Sequence, residues 1–127
     1  MQKVFEIDGR DFVSLEGFYR IIGRVLIPGQ AWGHNLDAFN DILYWPFSED
    51  QSRYTLVWKN SDLSRQNLAY VETIRQLELR IERCHPANVS QVATELEAAR
   101  RNEGPTVFDW LVEICQGKDQ YVELRLE

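Results

Sequence analysis

The stretch WGHNLDAFNDIL, residues 32–43, predicts a short amphipathic helix that begins after an asparagine N-cap, Asn35. The apolar positions predicted to face inward are Leu36, Phe39 and Leu43, and those predicted on the opposite side are Asp37, Asn40, Asp41 and Tyr44. Asp37 lies in the first turn, where the helix dipole favours a negative charge. Asp41 lies near the negative end and four residues from another aspartate, which costs about 0.2–0.5 kcal/mol. This arrangement fits either an ordinary solvated face or a binding surface.

Outward from this helix, the chain alternates predicted strands and helices. Three segments alternate apolar and polar residues and predict strands: KVFEI (3–7), YTLVWKN (54–60) and YVELRL (121–126). Ser14 caps a predicted helix that PG at 28–29 ends, and a T-x-x-D capping box at 106–109 opens a helix that Gly117 ends. WPFSEDQS (45–52) is predicted as a connection. Three tryptophans are predicted to pack: Trp45, Trp58 and Trp110.

Residues 61–104 carry a helical pattern between the second and third predicted strands. Its apolar positions recur at helical spacing, first as Tyr70, Ile74, Leu77 and Ile81 and then as Val92, Leu96 and Ala99. The short break at CHPAN (84–88) predicts that the two helices are antiparallel neighbours. We expect one domain over residues 1–127, with 61–104 as an inserted helical hairpin.

Strands separated by helices predict parallel pairing through right-handed crossovers. The expected fold is therefore α/β, with a small three-stranded parallel sheet and helices packed against it. Because YVELRL alternates where a fully covered parallel strand is usually apolar throughout, one face of the sheet is expected to meet solvent. The sequence thus predicts two layers.

Composition limits the possible partners of the chain. Acidic side chains outnumber basic ones 20 to 14, so the net charge of −6 disfavours nucleic acid and anionic membranes. A basic protein partner fits this charge, and so does an ordinary cytosolic protein. No apolar run reaches the roughly 20 residues of a membrane span, and the start lacks a signal-peptide pattern, so we expect a cytoplasmic protein with Cys84 and Cys115 reduced.

Catalytic signals are weak. The two histidines, His34 and His85, lie in no known catalytic motif, and no phosphate-binding or dinucleotide-binding motif occurs. We therefore expect no enzyme, no cofactor and no metal. One alternative stays open, in which His34, Asp37 and Asp41 hold a divalent metal.

The same stretch resembles the barstar family of ribonuclease inhibitors, whose loop and helix follow the pattern G-x-N-L-D-A-x-x-D-x-L. Seven positions match: Gly33, Asn35, Leu36, Asp37, Ala38, Asp41 and Leu43. The resemblance covers residues 2–60 and 105–126 and indicates a longer member of the family. It implies a barstar-like fold and a protein that blocks the active site of a basic ribonuclease or nuclease toxin.

The resemblance also implies site residues. Asp41 matches the position at which the family places a carboxylate in the enzyme's phosphate site, and Asn35 and Asp37 match neighbouring contacts. The full predicted partner surface is Trp32, Gly33, His34, Asn35, Asp37, Asn40, Asp41 and Tyr44. The family has aromatic residues where this chain has Ala31 and Asn40, and a glutamate where it has Val112, with Glu113 one place away. A second hypothesis is a non-inhibitory interaction module that uses helices 61–104.

Overall fold

A three-stranded parallel sheet forms the centre of the protein. The computed structural model describes residues 3–127. Its strands are β1 (Val4–Asp8), β2 (Tyr54–Lys59) and β3 (Val122–Leu126), in the order β1-β2-β3. The predicted α/β class and parallel pairing are confirmed.

Helices occupy most of the remaining chain. They are α1 (Leu15–Leu26), α2 (Leu36–Ile42), α3 (Trp45–Asp50), α4 (Ser61–Asn67), α5 (Tyr70–Arg83), α6 (Val89–Arg100) and α7 (Val107–Gly117), with short 3₁₀ helices at Gly9–Asp11 and Pro86–Asn88. α3 corrects the predicted connection at 45–52. Pro46 in its first turn has a backbone angle already suited to a helix, and Gln51 ends it with a φ of 59°.

The main core lies on one face of the sheet. β2 contributes Trp58, Tyr54 and Leu56, which pack against large apolar side chains of α1, α2 and α7, among them Phe18, Phe39 and Phe108. The opposite face carries exposed ion pairs, Lys59 with Glu6 at 3.3 Å and Arg125 with Glu123 at 3.7 Å. Thr55 and Val57 of the central strand are buried on this face, whereas the edge strands meet solvent there, as the alternation in YVELRL predicts.

The helices between β2 and β3 divide between two apolar clusters. α4 adjoins the main core, because the indole Nε1 of Trp58 donates to the Ser64 hydroxyl at 3.0 Å and Leu68 is fully buried there. α5 and α6 enclose a second cluster of Leu77, Val92, Leu96 and Ala99. The expected insertion at 61–104 stays a prediction. Within residues 3–127, no helix is both long and apolar enough to cross a bilayer.

Candidate functional site

The loop before α2 is held by the side chain of Asn35. Its Oδ1 accepts from the Ala38 backbone N–H at 2.8 Å, and its Nδ2 donates to the Gly33 carbonyl at 3.3 Å. The predicted N-cap is therefore confirmed. His34 adopts a left-handed φ of 49°, which turns the chain sharply between Gly33 and the cap. Residues 33–35 thus have a defined conformation despite their exposure.

Trp32 anchors the loop to α1. Its ring lies edge-on to Tyr19 at 5.6 Å between centroids and 4.7 Å from the His34 ring. The indole also lies directly over Gly23, where an added Cβ would fall 2.4 Å from Nε1. The absence of a side chain at Gly23 therefore makes room for the tryptophan and sets the position of the loop.

α2 has the two faces that the sequence predicts. Phe39 and Leu43 are fully buried, Leu36 is half-buried, and Asp37, Asp41 and Tyr44 are exposed, with Asn40 half-buried. Within residues 3–127, neither aspartate has a hydrogen bond or an ion pair. Both carboxylates are thus presented to solvent without an ion-pair partner within these residues.

The two aspartates border different hollows of about 610 Å³ each. Asp37 lines a cleft between the first turn of α2, α1 and α5, which we call the α5 cleft. Asp41 lines a hollow beside Ala31, Trp45 and Tyr121, which we call the α3 hollow. The two carboxylates on the exposed face of α2 therefore each border a hollow of their own.

Exposed aromatic rings border the α3 hollow. Tyr44 is 40% exposed and Trp45 is 46% exposed, and the Tyr44 ring lies 5.0 Å from that of Tyr121. Lys118 Nζ lies 5.8 Å from the Tyr121 ring. The predicted packing of Trp45 is wrong, because α3 buries Pro46 and leaves its first residue outside. Trp58 is buried as predicted, and Trp110 is half-buried.

Sequence reasoning missed Tyr121, Lys118 and Arg83 as neighbours of the site. Tyr121 and Lys118 reach it from the turn after α7, and Arg83 reaches the α5 cleft from the end of α5. No local pattern could indicate them, because each is adjacent to α2 through the tertiary fold alone. The start of a helix at Trp45 did have a local signal, because proline favours the first helical turn and Pro46 follows directly.

The metal alternative receives no structural support. Within residues 3–127, no three histidine, cysteine, aspartate or glutamate side chains gather as metal ligands would. His34 packs against Trp32 instead. Of the two residues near the family's glutamate position, Val112 is half-buried and Glu113 is exposed.

The comparisons with known proteins identify the family. The model described as Barstar (barnase inhibitor) matches residues 2–86. This match includes the loop and α2 and extends through α5, whereas the resemblance at 105–126 lies outside it. No curated protein and no solved structure matches the sequence. Because the family match spans well over half of the sequence, the chain belongs to the barstar family.

Proposed function

We propose that the chain is a cytoplasmic, stoichiometric inhibitor of a basic ribonuclease or related nuclease toxin, and that residues 32–44 block the enzyme's active site. The observation that carries this proposal is the pair of unpaired carboxylates, Asp37 and Asp41, on an exposed and firmly anchored helix of a barstar-family chain. The net charge of −6 supports a cationic partner, because opposite charges accelerate encounter.

Asp41 is the proposed phosphate mimic. A nuclease binds substrate phosphate with cationic and hydrogen-bonding groups, and a carboxylate can accept the same charge-assisted bonds. Because Asp41 has no partner within residues 3–127, its docking breaks no internal ion pair. The cost is limited to its desolvation and that of the enzyme's cations, which the new bonds offset.

Preorganisation is the second part of the mechanism. The Asn35 cap and the packing of Trp32 on Tyr19 hold the loop before the partner arrives. Little conformational entropy is then lost on binding. Asn35 uses one amide atom to cap α2 and the other to hold the Gly33 carbonyl, so its main proposed role is to position Asp37 and the backbone around Gly33.

The exposed rings supply the remaining contact area. Tyrosine and tryptophan are enriched among the residues that dominate binding energy, because they bury much apolar area with few rotatable bonds. Tyr44 and Trp45 adjoin Asp41 in the α3 hollow. We propose that they enclose the carboxylate and exclude water from it once the enzyme binds.

A quantitative pull-down tests this function. Immobilised wild type, Asp41→Ala and Glu97→Ala are incubated with lysate and culture medium of the source, and retained proteins are quantified by mass spectrometry. Glu97 is the matched control, since it is an exposed carboxylate on α6 without a side-chain partner within residues 3–127. We expect wild type and Glu97→Ala to retain a nuclease that Asp41→Ala loses.

The retained enzyme is then assayed for RNA cleavage against increasing wild-type protein. Activity should disappear at equimolar inhibitor, and association should slow as added salt screens the charges. Equal retention of that nuclease by Asp41→Ala would refute the role of Asp41 in the contact surface. Failure of wild type to retain any nuclease would refute the inhibitor function, and equal retention of a non-nuclease by all three would favour the interaction module.

A further inference from the structure

We infer that α5 forms a second wall of the inhibitory surface, and that Arg83 selects nucleases with a carboxylate beside their basic active site. This inference rests on the proposed function. The helical segment after α4 then takes part in choosing the partner, and the partner carries a carboxylate at one position.

The α5 cleft joins α5 directly to the proposed contact surface. His34 and Asp37 line one side of the cleft, and Leu79 and Arg83 line the other. A globular enzyme that covers the loop and the first turn of α2 therefore also meets the last turns of α5. The cleft continues the same surface rather than forming a separate site.

α5 is held firmly against α1, so this wall has a fixed position. The buried Glu72 carboxylate accepts from the Leu15 backbone N–H at 2.8 Å and from Arg75 Nε at 2.7 Å. Gln76 Nε2 donates to Glu16 on α1 at 2.8 Å. Because Trp32 packs on α1 as well, the loop and α5 share one rigid support.

Arg83 is the cation of this wall that is free to bind. Arg80 contacts Glu95 at 3.8 Å and lies 5.1 Å from the Trp110 ring. Arg83 is exposed and has no hydrogen bond or ion pair within residues 3–127. The helix offers it no acidic partner one turn back, where Leu79 and Arg80 lie.

The charge of Arg83 is opposite to that of Asp37 and Asp41. A basic nuclease attracted by Asp37 and Asp41 would be repelled by a nearby guanidinium, and covering that group unpaired would cost binding energy. An enzyme with a carboxylate at this point gains an ion pair instead. Arg83 therefore discriminates between basic nucleases by rejecting those without the carboxylate.

The test compares charge reversal at two matched positions. Arg83→Glu and Arg24→Glu change the net charge equally, and both arginines lie exposed in the last turn of a helix. Arg24 borders a different hollow, beside Lys59 and β1. Thermal unfolding first establishes that both variants fold, and Arg83→Gln serves as a milder variant if Arg83→Glu does not.

Arg83→Glu and Arg24→Glu are then compared with wild type and Asp41→Ala in the pull-down, with the same lysate and culture medium. We expect the nuclease lost with Asp41→Ala to fall at least about tenfold with Arg83→Glu and to stay unchanged with Arg24→Glu. In the same mixtures, a carbodiimide should activate the partner carboxylate, and the amine of Arg83→Lys should then displace the activating group, which leaves as a urea, to form an amide. Arg24→Lys should form no such link.

Each outcome is decisive. Loss with Asp41→Ala but not with Arg83→Glu or Arg83→Gln overturns this inference and leaves the inhibitor function standing. Equal loss with Arg83→Glu and Arg24→Glu also overturns it, because net charge alone would then explain the effect. A nuclease retained equally by Asp41→Ala refutes the proposed function itself, and this inference with it.

Discussion

The backbone N–H of Leu15 donates a 2.8 Å hydrogen bond to the carboxylate of Glu72, which lies 57 residues further along the chain. Leu15 is the first residue of α1, where helix N–H groups lack partners within the helix. The Ser14 hydroxyl accepts from the Gly17 backbone N–H at 3.1 Å, and the Glu72 carboxylate on α5 accepts from the Leu15 N–H. A side chain of the second cluster's helix thus caps a helix of the main core.

Replacing Glu72 should weaken the contact between these two helices, because Gln76 and Glu16 still join them. Glu72→Ala removes the acceptor for Leu15 and leaves Arg75 without its buried partner, so we expect a loss of about 1–3 kcal/mol in the free energy of unfolding. Urea denaturation measures this. Glu78→Ala is the control on the same helix, because it removes only an exposed pair with Arg100 at 3.7 Å. Equal effects of the two substitutions would contradict the capping role.

Gly23→Ala should disturb the loop rather than α1. Alanine favours a helix by about 1 kcal/mol over glycine, but the new Cβ would lie 2.4 Å from Trp32 Nε1. We expect Trp32 to move, with a change in tryptophan fluorescence, a net destabilisation of about 1–3 kcal/mol and weaker nuclease capture.

Gly117→Ala is the matched control for this substitution. A Cβ there would meet nothing within 4 Å, and Gly117 is the last residue of α7. It should leave fluorescence and capture unchanged. If Gly23→Ala behaves in the same way, the close contact with Trp32 does not determine the loop.

The elements that the sequence predicts well are those with local signals. Ser14, Asn35 and Thr106 each cap the helix expected of them, and Thr106 with Asp109 forms the predicted capping box. The parallel pairing of the strands also follows, because short strands separated by helices leave few other arrangements. The exposed face of α2 follows from helical periodicity alone.

The features that escape prediction depend on distant parts of the chain. Nothing near Glu72 indicates that its carboxylate caps α1, and nothing near Arg83 indicates that it lines the same cleft as Asp37. The exposure of Trp45 depends equally on how α3 packs. Periodicity shows which side of a helix is apolar, but it does not show which element covers that side.

Trp45 should contribute to binding as well as to folding. Because Trp45 is 46% exposed, we expect Trp45→Ala to lower the unfolding free energy by about 1–2 kcal/mol, less than the loss of a fully buried tryptophan. The free energy of binding to the nuclease should weaken by about 2 kcal/mol or more if the ring packs on the enzyme. Val71→Ala, at 87% exposure on α5, should alter neither quantity. Unchanged inhibition by Trp45→Ala would remove the α3 hollow from the interface.

The two cysteines should differ in reactivity. Burial raises the pKa of the Cys115 thiol to about 12, so little thiolate forms at pH near 8 and reagents cannot reach it. Cys84 is half-buried at the end of α5. An aromatic disulfide reagent should label one thiol in the native protein and both after unfolding. Native Cys84→Ser should therefore stay unlabelled, and rapid labelling would contradict the burial of Cys115.

Acid should destabilise the protein through three carboxyl groups. Hydrogen bonds from Arg10 and Asn60 lower the pKa of Asp8, and those from Ser52 and Lys3 lower that of Asp50. Burial raises the pKa of Glu16, but hydrogen bonds from Gln76 and Arg75 outweigh it, so this pKa is also lowered.

Since the folded forms of these three groups hold their protons less tightly than the unfolded chain, their stabilisation is complete above the ordinary values of 3.8 and 4.5. It is lost as the pH falls through the lower folded values. We expect a nearly constant free energy of unfolding from about pH 8 to 6 and a decline below about pH 5, measured by urea denaturation. Asp8→Asn should make this decline shallower, whereas an unchanged slope would show that the Arg10 pair contributes nothing to acid sensitivity.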